Sequence, residues 1–374
     1  MLPTPHPACL IIADISGYTT YLAGAELDHA QDVLADLMDT VVRSLRPSFR
    51  LAKLEGDAAF VYALTERVDG SGLQDTVEGC YFAFQRRLRD IRQATTCPCN
   101  ACILIPTLDL KVVAHHGSVA EQRMAGRDEL VGRDVILVHR LLKNDIEGTT
   151  GIGAYVAYTE ACLAAMGVVD PAAIGLSSQR ETYDVIGEVV VWVRDLAEAW
   201  RSEQARTEVI VAPDGAGWTI ETDLPAPQSL AWTFLTAPEH RLRWSVGITE
   251  FAETTVAGRR GIGTVNHCQH GADAVLEEIL DWRPPDYQTV RVRMPVPGVP
   301  AITFTDRLTP TEDGRTRFTM LVARPRKAAD RAALEAVLPG IAEGVRAGLE
   351  NVSELLRAEL ERLEVDPFVA LGGE

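Results

Sequence analysis

Two short strings carry the residue types that metal and phosphate chemistry needs. They are Asp14-Ile15-Ser16-Gly17-Tyr18-Thr19 and, about forty residues later, Lys53-Leu54-Glu55-Gly56-Asp57. Carboxylates brought together from neighbouring strands can hold two Mg²⁺ or Mn²⁺ ions, because hard cations take oxygen ligands, bridge triphosphate oxygens and lower the pKa of an attacking hydroxyl. Gly17 would let the backbone approach phosphates closely. The same residues also admit a plainer reading, with Asp14 or Ser16 capping a helix and Asp57 suiting a turn.

Cys97-Pro98-Cys99-Asn100-Ala101-Cys102 puts three thiols within six residues, and Cys80 lies one helix upstream. Four thiolates would complete a tetrahedral structural Zn²⁺ site. The spacing is not that of a standard ribbon or finger, buried free cysteine is also a common small hydrophobe, and Cys99-x-x-Cys102 as a redox pair is a weaker alternative. His115, His116 and His139 lack a His-Glu-x-x-His spacing and read as packed or hydrogen-bonded residues without a catalytic role.

The elements that must position these groups follow from hydrophobic periodicity. Residues 8–13 form a short apolar run ending in Asp14, a buried strand, and 28–45 show helical spacing with Leu34, Leu37, Val41 and Leu45 on one face. Residues 49–54 and 58–63 flank Glu55-Gly56 as a hairpin with Asp57 near its tip. A helix with Tyr81, Phe84 and Leu88, a strand over 108–114, a helix over 133–144 and a closing strand over 188–193 follow. Hairpins interrupting the helices predict an α+β, ferredoxin-like sheet rather than a doubly wound one.

Together the two strings resemble the catalytic domain of class III nucleotidyl cyclases. The likeness continues through His115-His116-Gly117-Ser118-Val119, through 132–141 and to Ile186-Gly187, covering roughly residues 7–197. It implies that Asp14, Ile15 and Asp57 hold the metals, that Gly17 approaches the nucleotide, and that Lys53 and Glu129 read the base. Arg140 stands where the family has the arginine that stabilises the pentavalent phosphate. Ile136 stands where an asparagine orients the ribose, and isoleucine has no hydrogen bond to offer. The site so implied binds metal and ATP or another nucleoside triphosphate but holds the 3′ hydroxyl poorly. In the family this site is built across a head-to-tail homodimer; Lys143 and Asn144, just beyond Arg140, are candidates to replace the lost contact.

Residues 195–206 are polar and helical in character and 207–212 strand-like, which places a boundary near 204 and gives domains 1–204 and 205–374. Seven strand segments then precede an amphipathic C-terminal helix carrying Ile341, Val345, Leu349, Val352, Leu356 and Leu360, with Pro339 marking its first turn. Trp232, Phe234 and Trp244 within 227–244, then Gly261-Ile262-Gly263-Thr264 and residues 279–285, resemble the START-like or polyketide-cyclase-like helix-grip superfamily over about 205–365. That likeness implies a pocket for an apolar small molecule, for which Trp232, Trp244 and His267 are the candidates; His267 and His270 should face opposite sides of their strand.

The whole chain has 374 residues, 47% hydrophobic and 24% charged, enough for two ordinary globular cores. Its 53 acidic against 36 basic residues give −17, a field that disfavours nucleic acid and anionic membrane surfaces. No apolar run approaches the roughly 20 residues of a membrane helix, no secretory signal is visible, and seven cysteines cannot all pair, so a cytoplasmic chain is expected. The functional expectation is a weak or degenerate cyclase-like nucleotide binder coupled to an apolar-ligand domain, with an active adenylate cyclase and a non-catalytic dimeric scaffold as alternatives.

Overall fold

The computed structural model describes residues 4–46, 48–94, 99–124, 127–271 and 273–365. One compact unit ends at Arg206 and a second begins at Thr207.

In the first unit, β1 (His6–Ser16) is apolar without alternation because it is covered on both faces. Ala8, Leu10 and Ile12 pack into one cluster and Cys9, Ile11, Ala13 and Ile15 into another. After α1 (Tyr18–Gly24) and α2 (Leu27–Leu45), β2 (Arg50–Glu55) and β3 (Ala58–Leu64) form the expected hairpin, turning at Gly56 with φ 68°. Then come α3 (Gly70–Ala94), α4 (Asn100–Ile103), β4 (Asp109–Met124), β5 (Arg127–Val131), α5 (Arg133–Leu141), α6 (Ile146–Thr150), β6 (Tyr155–Thr159), α7 (Glu160–Ala165), β7 (Ser177–Tyr183), β8 (Gly187–Asp195) and α8 (Leu196–Ala205).

The sheet order is β2-β3-β1-β4-β6-β8-β7, with β5 paired to β4 off this path. β1 runs antiparallel to both β3 and β4, which is the split β-α-β arrangement of a ferredoxin-like sheet. β4 extends ten residues beyond the expected 114 because, after leaving β1, it pairs with β5.

In the second unit, residues 207–212 are not the strand their composition suggested. Side chains take their amides instead: Val209 N–H donates to Asp281 Oδ2 at 2.8 Å and Val211 N–H to Thr305 Oγ1 at 2.8 Å. The strands are β9 (Ala216–Leu224), β10 (Glu250–Thr254), β11 (Val265–His270), β12 (Asp273–Arg283), β13 (Tyr287–Arg293), β14 (Ile302–Pro310) and β15 (Thr316–Ala323). They form one antiparallel sheet in the order β10-β11-β12-β13-β14-β15-β9.

α9 (Gln228–Thr236) and α10 (Pro238–Trp244) lie between β9 and β10 in sequence, and α11 (Ala328–Val365) packs on β9, α9 and α10. The long helix starts well before Pro339, which is internal to it. An interior proline costs a helix about 3 kcal/mol. The alanine-rich stretch before it has high helix propensity, and burial of Leu334 and Leu338 offsets the rest. An antiparallel sheet gripping a long C-terminal helix is the helix-grip form.

Candidate functional site

β1 delivers Asp14 to a point opposite Ala58 of β3 and opposite Lys111 of β4. Asp57 precedes Ala58 at the hairpin tip, and its carbonyl accepts the Ile15 N–H at 3.0 Å. The topology therefore brings the two aspartates to adjacent strand ends. Burial raises the Asp14 pKa; Lys111 pulls it down and the charge of Asp57 pushes it up. Of the plainer reading, the turn at Asp57 holds and the capping does not, since α1 is capped by Gly17 without a side-chain cap bond and Asp14 stays in the ladder.

Ile15 has its side chain in the core at 2% exposure, so only its carbonyl oxygen is available to a cation. Ser16 Oγ is buried with no hydrogen-bond partner, an orphan hydroxyl beside the aspartates. Gly17 is left-handed (φ 83°), and a Cβ there would meet the Thr107 carbonyl oxygen at 2.4 Å, so packing alone demands glycine.

The sequence reading missed Lys111, whose Nζ stands 3.2 Å from Asp14 Oδ2. Its signal was a lone cation inside an apolar strand run. Two carboxylates, an orphan hydroxyl and a carbonyl oxygen are the kind of oxygen ligands that Mg²⁺ or Mn²⁺ takes, so these residues could hold such an ion, with Lys111 offsetting part of the negative charge.

The proposed base-reading residues also converge. Lys53 Nζ is 2.8 Å from Glu55 Oε1 and 3.9 Å from Glu129 Oε2. His139 of α5 closes the group with Nε2 3.0 Å from Glu55 Oε2. Burial works against the Glu55 carboxylate, yet Lys53 and His139 hold its pKa below the ordinary value.

On α5, Ile136 and Arg140 lie one turn apart and both are solvent-exposed, Ile136 at 59%. Arg140 makes no ion pair among the described residues, so no carboxylate among them claims its guanidinium. Asn144 is not a substitute for the missing asparagine: its Oδ1 accepts from Tyr155 Oη at 2.8 Å and from the Ile146 amide, and its Nδ2 donates to the Leu141 carbonyl.

His115 and Asp134 explain the His-His-Gly-Ser string. Asp134, in the first turn of α5, lies 3.2 Å from His115 Nε2 and accepts the Ser118 N–H at 2.7 Å, while His115 Nδ1 lies 2.9 Å from Thr159 Oγ1. Burial lowers the His115 pKa. A Cβ at Gly117 would collide with Asp134 at 2.4 Å. This clamp fixes where α5, and hence Arg140, leaves the sheet.

The expected four-cysteine set does not form. Cys80 is buried on α3, its thiol directed to the Val41 carbonyl, and burial pushes its pKa up to about 12. Cys97 lies outside the described residues. Cys99 and Cys102 instead converge with His29 of α2.

The second unit encloses a cavity of about 430 Å³ whose wall includes Trp232 and Trp244. His267 does not reach it. The β11 pleat turns His267 to solvent and buries Cys268, and His270, three residues on, joins the wall. The wall is mostly apolar, and its charged and amide groups come from α10, β12, β13 and β14, a grouping that composition alone could not reveal. Arg241 pairs with Glu277 at 2.6 Å, and Gln288 Nε2 donates to Asp306 Oδ2 at 3.1 Å. Asp306 Oδ1 has no hydrogen-bond partner, and burial pushes the carboxyl up to about 7.

Residues 34–150 match a family described as "Protein of unknown function (DUF2652)". Residues 216–357 match the family "Polyketide cyclase / dehydrase and lipid transport". An uncharacterized protein of Mycobacterium tuberculosis is 39% identical over 119 residues, which are 30% of this chain. The chain spans about half (52%) of that relative's length. Among solved structures, the guanylyl cyclase Cya2 is 18% identical over 52% of this chain and 93% of its own, with TM-score 0.40. The adenylyl cyclase CyaB of P. aeruginosa is 14% identical over 52% and 97%, with TM-score 0.38. Among the described residues no helix is long and apolar enough to cross a membrane. The chain thus joins an α+β unit built on a ferredoxin-like sheet to a helix-grip unit similar to the polyketide cyclase / dehydrase and lipid transport family.

Proposed function

We propose that this chain is a nucleotide-dependent sensor, in which a cyclase-like unit binds a nucleoside triphosphate with Mg²⁺ or Mn²⁺ and the helix-grip unit takes an amphipathic small molecule. The observation that carries the reading is the meeting of Asp14 and Asp57 at adjacent strand ends beside an orphan Ser16 hydroxyl. Asp14, Asp57 and the Ile15 carbonyl would hold the metal, which when bound supplies charge neutralisation and polarisation of the phosphate oxygens. Lys53 and Glu129 offer a donor and an acceptor to the base. Arg140 is left to meet phosphate charge, and a second copy of the chain is the natural supplier of the opposite half of the site.

Ile136 is what sets the proposal apart from an active adenylate cyclase. An exposed isoleucine one turn before Arg140 cannot align a ribose hydroxyl, and misalignment of the attacking atom removes much of the several kcal/mol that positioning supplies. In the second unit, the cavity size suits a small ligand, and Asp306 Oδ1 and Arg241 give it a polar end to recognise.

The test is binding and turnover on the full-length chain with ATP and GTP, each with Mg²⁺ and with Mn²⁺, reading cyclic product by mass. Metal-dependent binding with little or no cyclic product, lost in Asp57→Ala, is the expected result. Sustained cyclic AMP formation would make the chain an adenylate cyclase despite Ile136. Absence of saturable binding would leave the helix-grip cavity as the functional centre.

A further inference from the structure

The geometry points to a zinc site built from His29, Cys99 and Cys102, at the junction of α2 with α4. His29 Nδ1 lies 3.2 Å from Cys99 Sγ, the two sulfurs are 3.4 Å apart, and all three donor atoms fall within 4.8 Å of one another. Around a tetrahedral Zn²⁺ with Zn–S about 2.3 Å and Zn–N about 2.0 Å, donor atoms sit roughly 3.5 to 3.8 Å apart. Both separations that involve Cys99 are therefore a few tenths of an ångström short of their ligating values, so a small adjustment of the side chains admits the ion. Imidazole with two thiolates selects Zn²⁺ over the hard cations suited to the Asp14 and Asp57 pair, so the two sites differ in chemistry as well as place.

Packing does not account for the convergence. His29 is solvent-exposed, Cys102 is half-buried away from the core, and Cys99 only touches the core's edge, so burial does not explain why the three donor atoms meet. Buried cysteines elsewhere, such as Cys9, Cys80 and Cys162, behave as ordinary small hydrophobes.

The frame around the site is held independently of any metal. Glu26, one turn before His29 on α2's leading edge, accepts the Ala101 N–H at 2.9 Å, and Tyr21 Oη donates to the Ala101 carbonyl at 3.0 Å. The Cys102 and Ile103 amides fold back onto the Cys99 carbonyl, which sets the two thiols on one side of the first turn of α4. Thr107, at the end of this segment, is the residue whose carbonyl lies against Gly17. A metal here would fasten the 99–107 segment to the helices that follow Asp14, which gives it a structural purpose.

The experiment is metal analysis of the full-length chain purified under reducing conditions, followed by replacement with Co²⁺. The expected result is one zinc per chain and, after exchange, intense thiolate-to-cobalt charge-transfer bands with tetrahedral d–d bands. Cys99→Ser and Cys102→Ser should each abolish these, and His29→Gln should weaken zinc retention against a chelator. Cys80→Ala should leave both metal content and spectrum unchanged. Far-ultraviolet circular dichroism of each variant separates loss of metal from loss of fold. A zinc-free chain whose Co²⁺ spectrum lacks thiolate bands, or isolation of a Cys99–Cys102 disulfide from the reduced preparation, would overturn the assignment. Nucleotide binding is not a readout here, so failure of the sensor reading would leave this result standing.

Discussion

Replacing Asp306 with asparagine tests whether the polar end of the helix-grip cavity is as desolvated as its surroundings imply. Asp306 is 8% exposed; Oδ2 accepts from Gln288, Oδ1 has no partner, and Arg241 and Glu277 act on it with opposite sign. Burial dominates and pushes its pKa from 3.8 up to about 7. Because the folded-state value lies above the unfolded one, the native chain binds this proton more tightly, and the stability it confers is complete below about pH 4 and lost as pH rises to about 7. At about 1.4 kcal/mol per unit over about three units, the loss is roughly 4 kcal/mol. Asparagine keeps the shape and can still accept from Gln288, but it does not ionise. Urea unfolding of both proteins, followed by tryptophan fluorescence, reads mainly the second unit, which holds four of the six tryptophans. The variant-minus-wild-type difference cancels titrations common to both. It should move in the variant's favour by roughly 3 kcal/mol between about pH 4.5 and about pH 8. Parallel stability curves across that range would refute the reasoning.

Three further outcomes follow from single contacts. Lys111→Met should tighten Mn²⁺ binding by about tenfold or more by calorimetry, and an unchanged affinity would mean the ammonium does not compete with the ion. Gly344→Phe should abolish uptake of an apolar fluorophore while the circular dichroism spectrum holds, since Gly344 lines the cavity and a Cβ there meets nothing within 4 Å; undiminished uptake would place the binding elsewhere. Asp134→Ala should cost about 1 to 3 kcal/mol in denaturant unfolding by stranding the His115 ring and the Ser118 amide, and a smaller change would remove the clamp from α5.

The elements with strong periodicity were legible: β1, α2, the β2–β3 hairpin and the seven strands of the second unit all lie where apolar spacing and turn residues put them. Pro339 misled because a rule about first turns met a helix already committed by alanine and leucine upstream. Residues 207–212 misled because β composition says nothing about whether a neighbouring strand exists to pair with. For the site, Asp14 and Asp57 are linked through the resemblance of their two strings to class III cyclases, because the β1–β3 register that brings them to adjacent strand ends is not local. His29 and Cys99 are 70 residues apart, and Lys111 reaches Asp14 only through the β1–β4 register, so neither contact leaves a local trace. The cysteine expectation failed for the same reason: Cys80 is close in sequence to the cluster, but its helical position aims it at the core.

Lys111 bears on the central question of whether this chain turns nucleotide over. Two aspartates carry −2, and an ammonium 3.2 Å from one of them reduces the local sum to about −1. A divalent ion entering beside Asp14 would face that ammonium at a distance of about 4 Å. The repulsion is about 2 kcal/mol if water screens it fully and about 8 kcal/mol at the effective dielectric typical of protein surfaces. Either value is enough to lower metal affinity by more than about tenfold unless Lys111 swings away. The side chain is partly exposed and has room to do so, but each departure leaves Asp14, already strained by burial and by Asp57, to the metal alone. A bound triphosphate changes the balance, because its oxygens give the displaced ammonium a new partner. Metal and nucleotide should then bind cooperatively, each weakly without the other, which is the behaviour a sensor of the metal–nucleotide complex requires and which a pre-charged two-metal catalyst does not need.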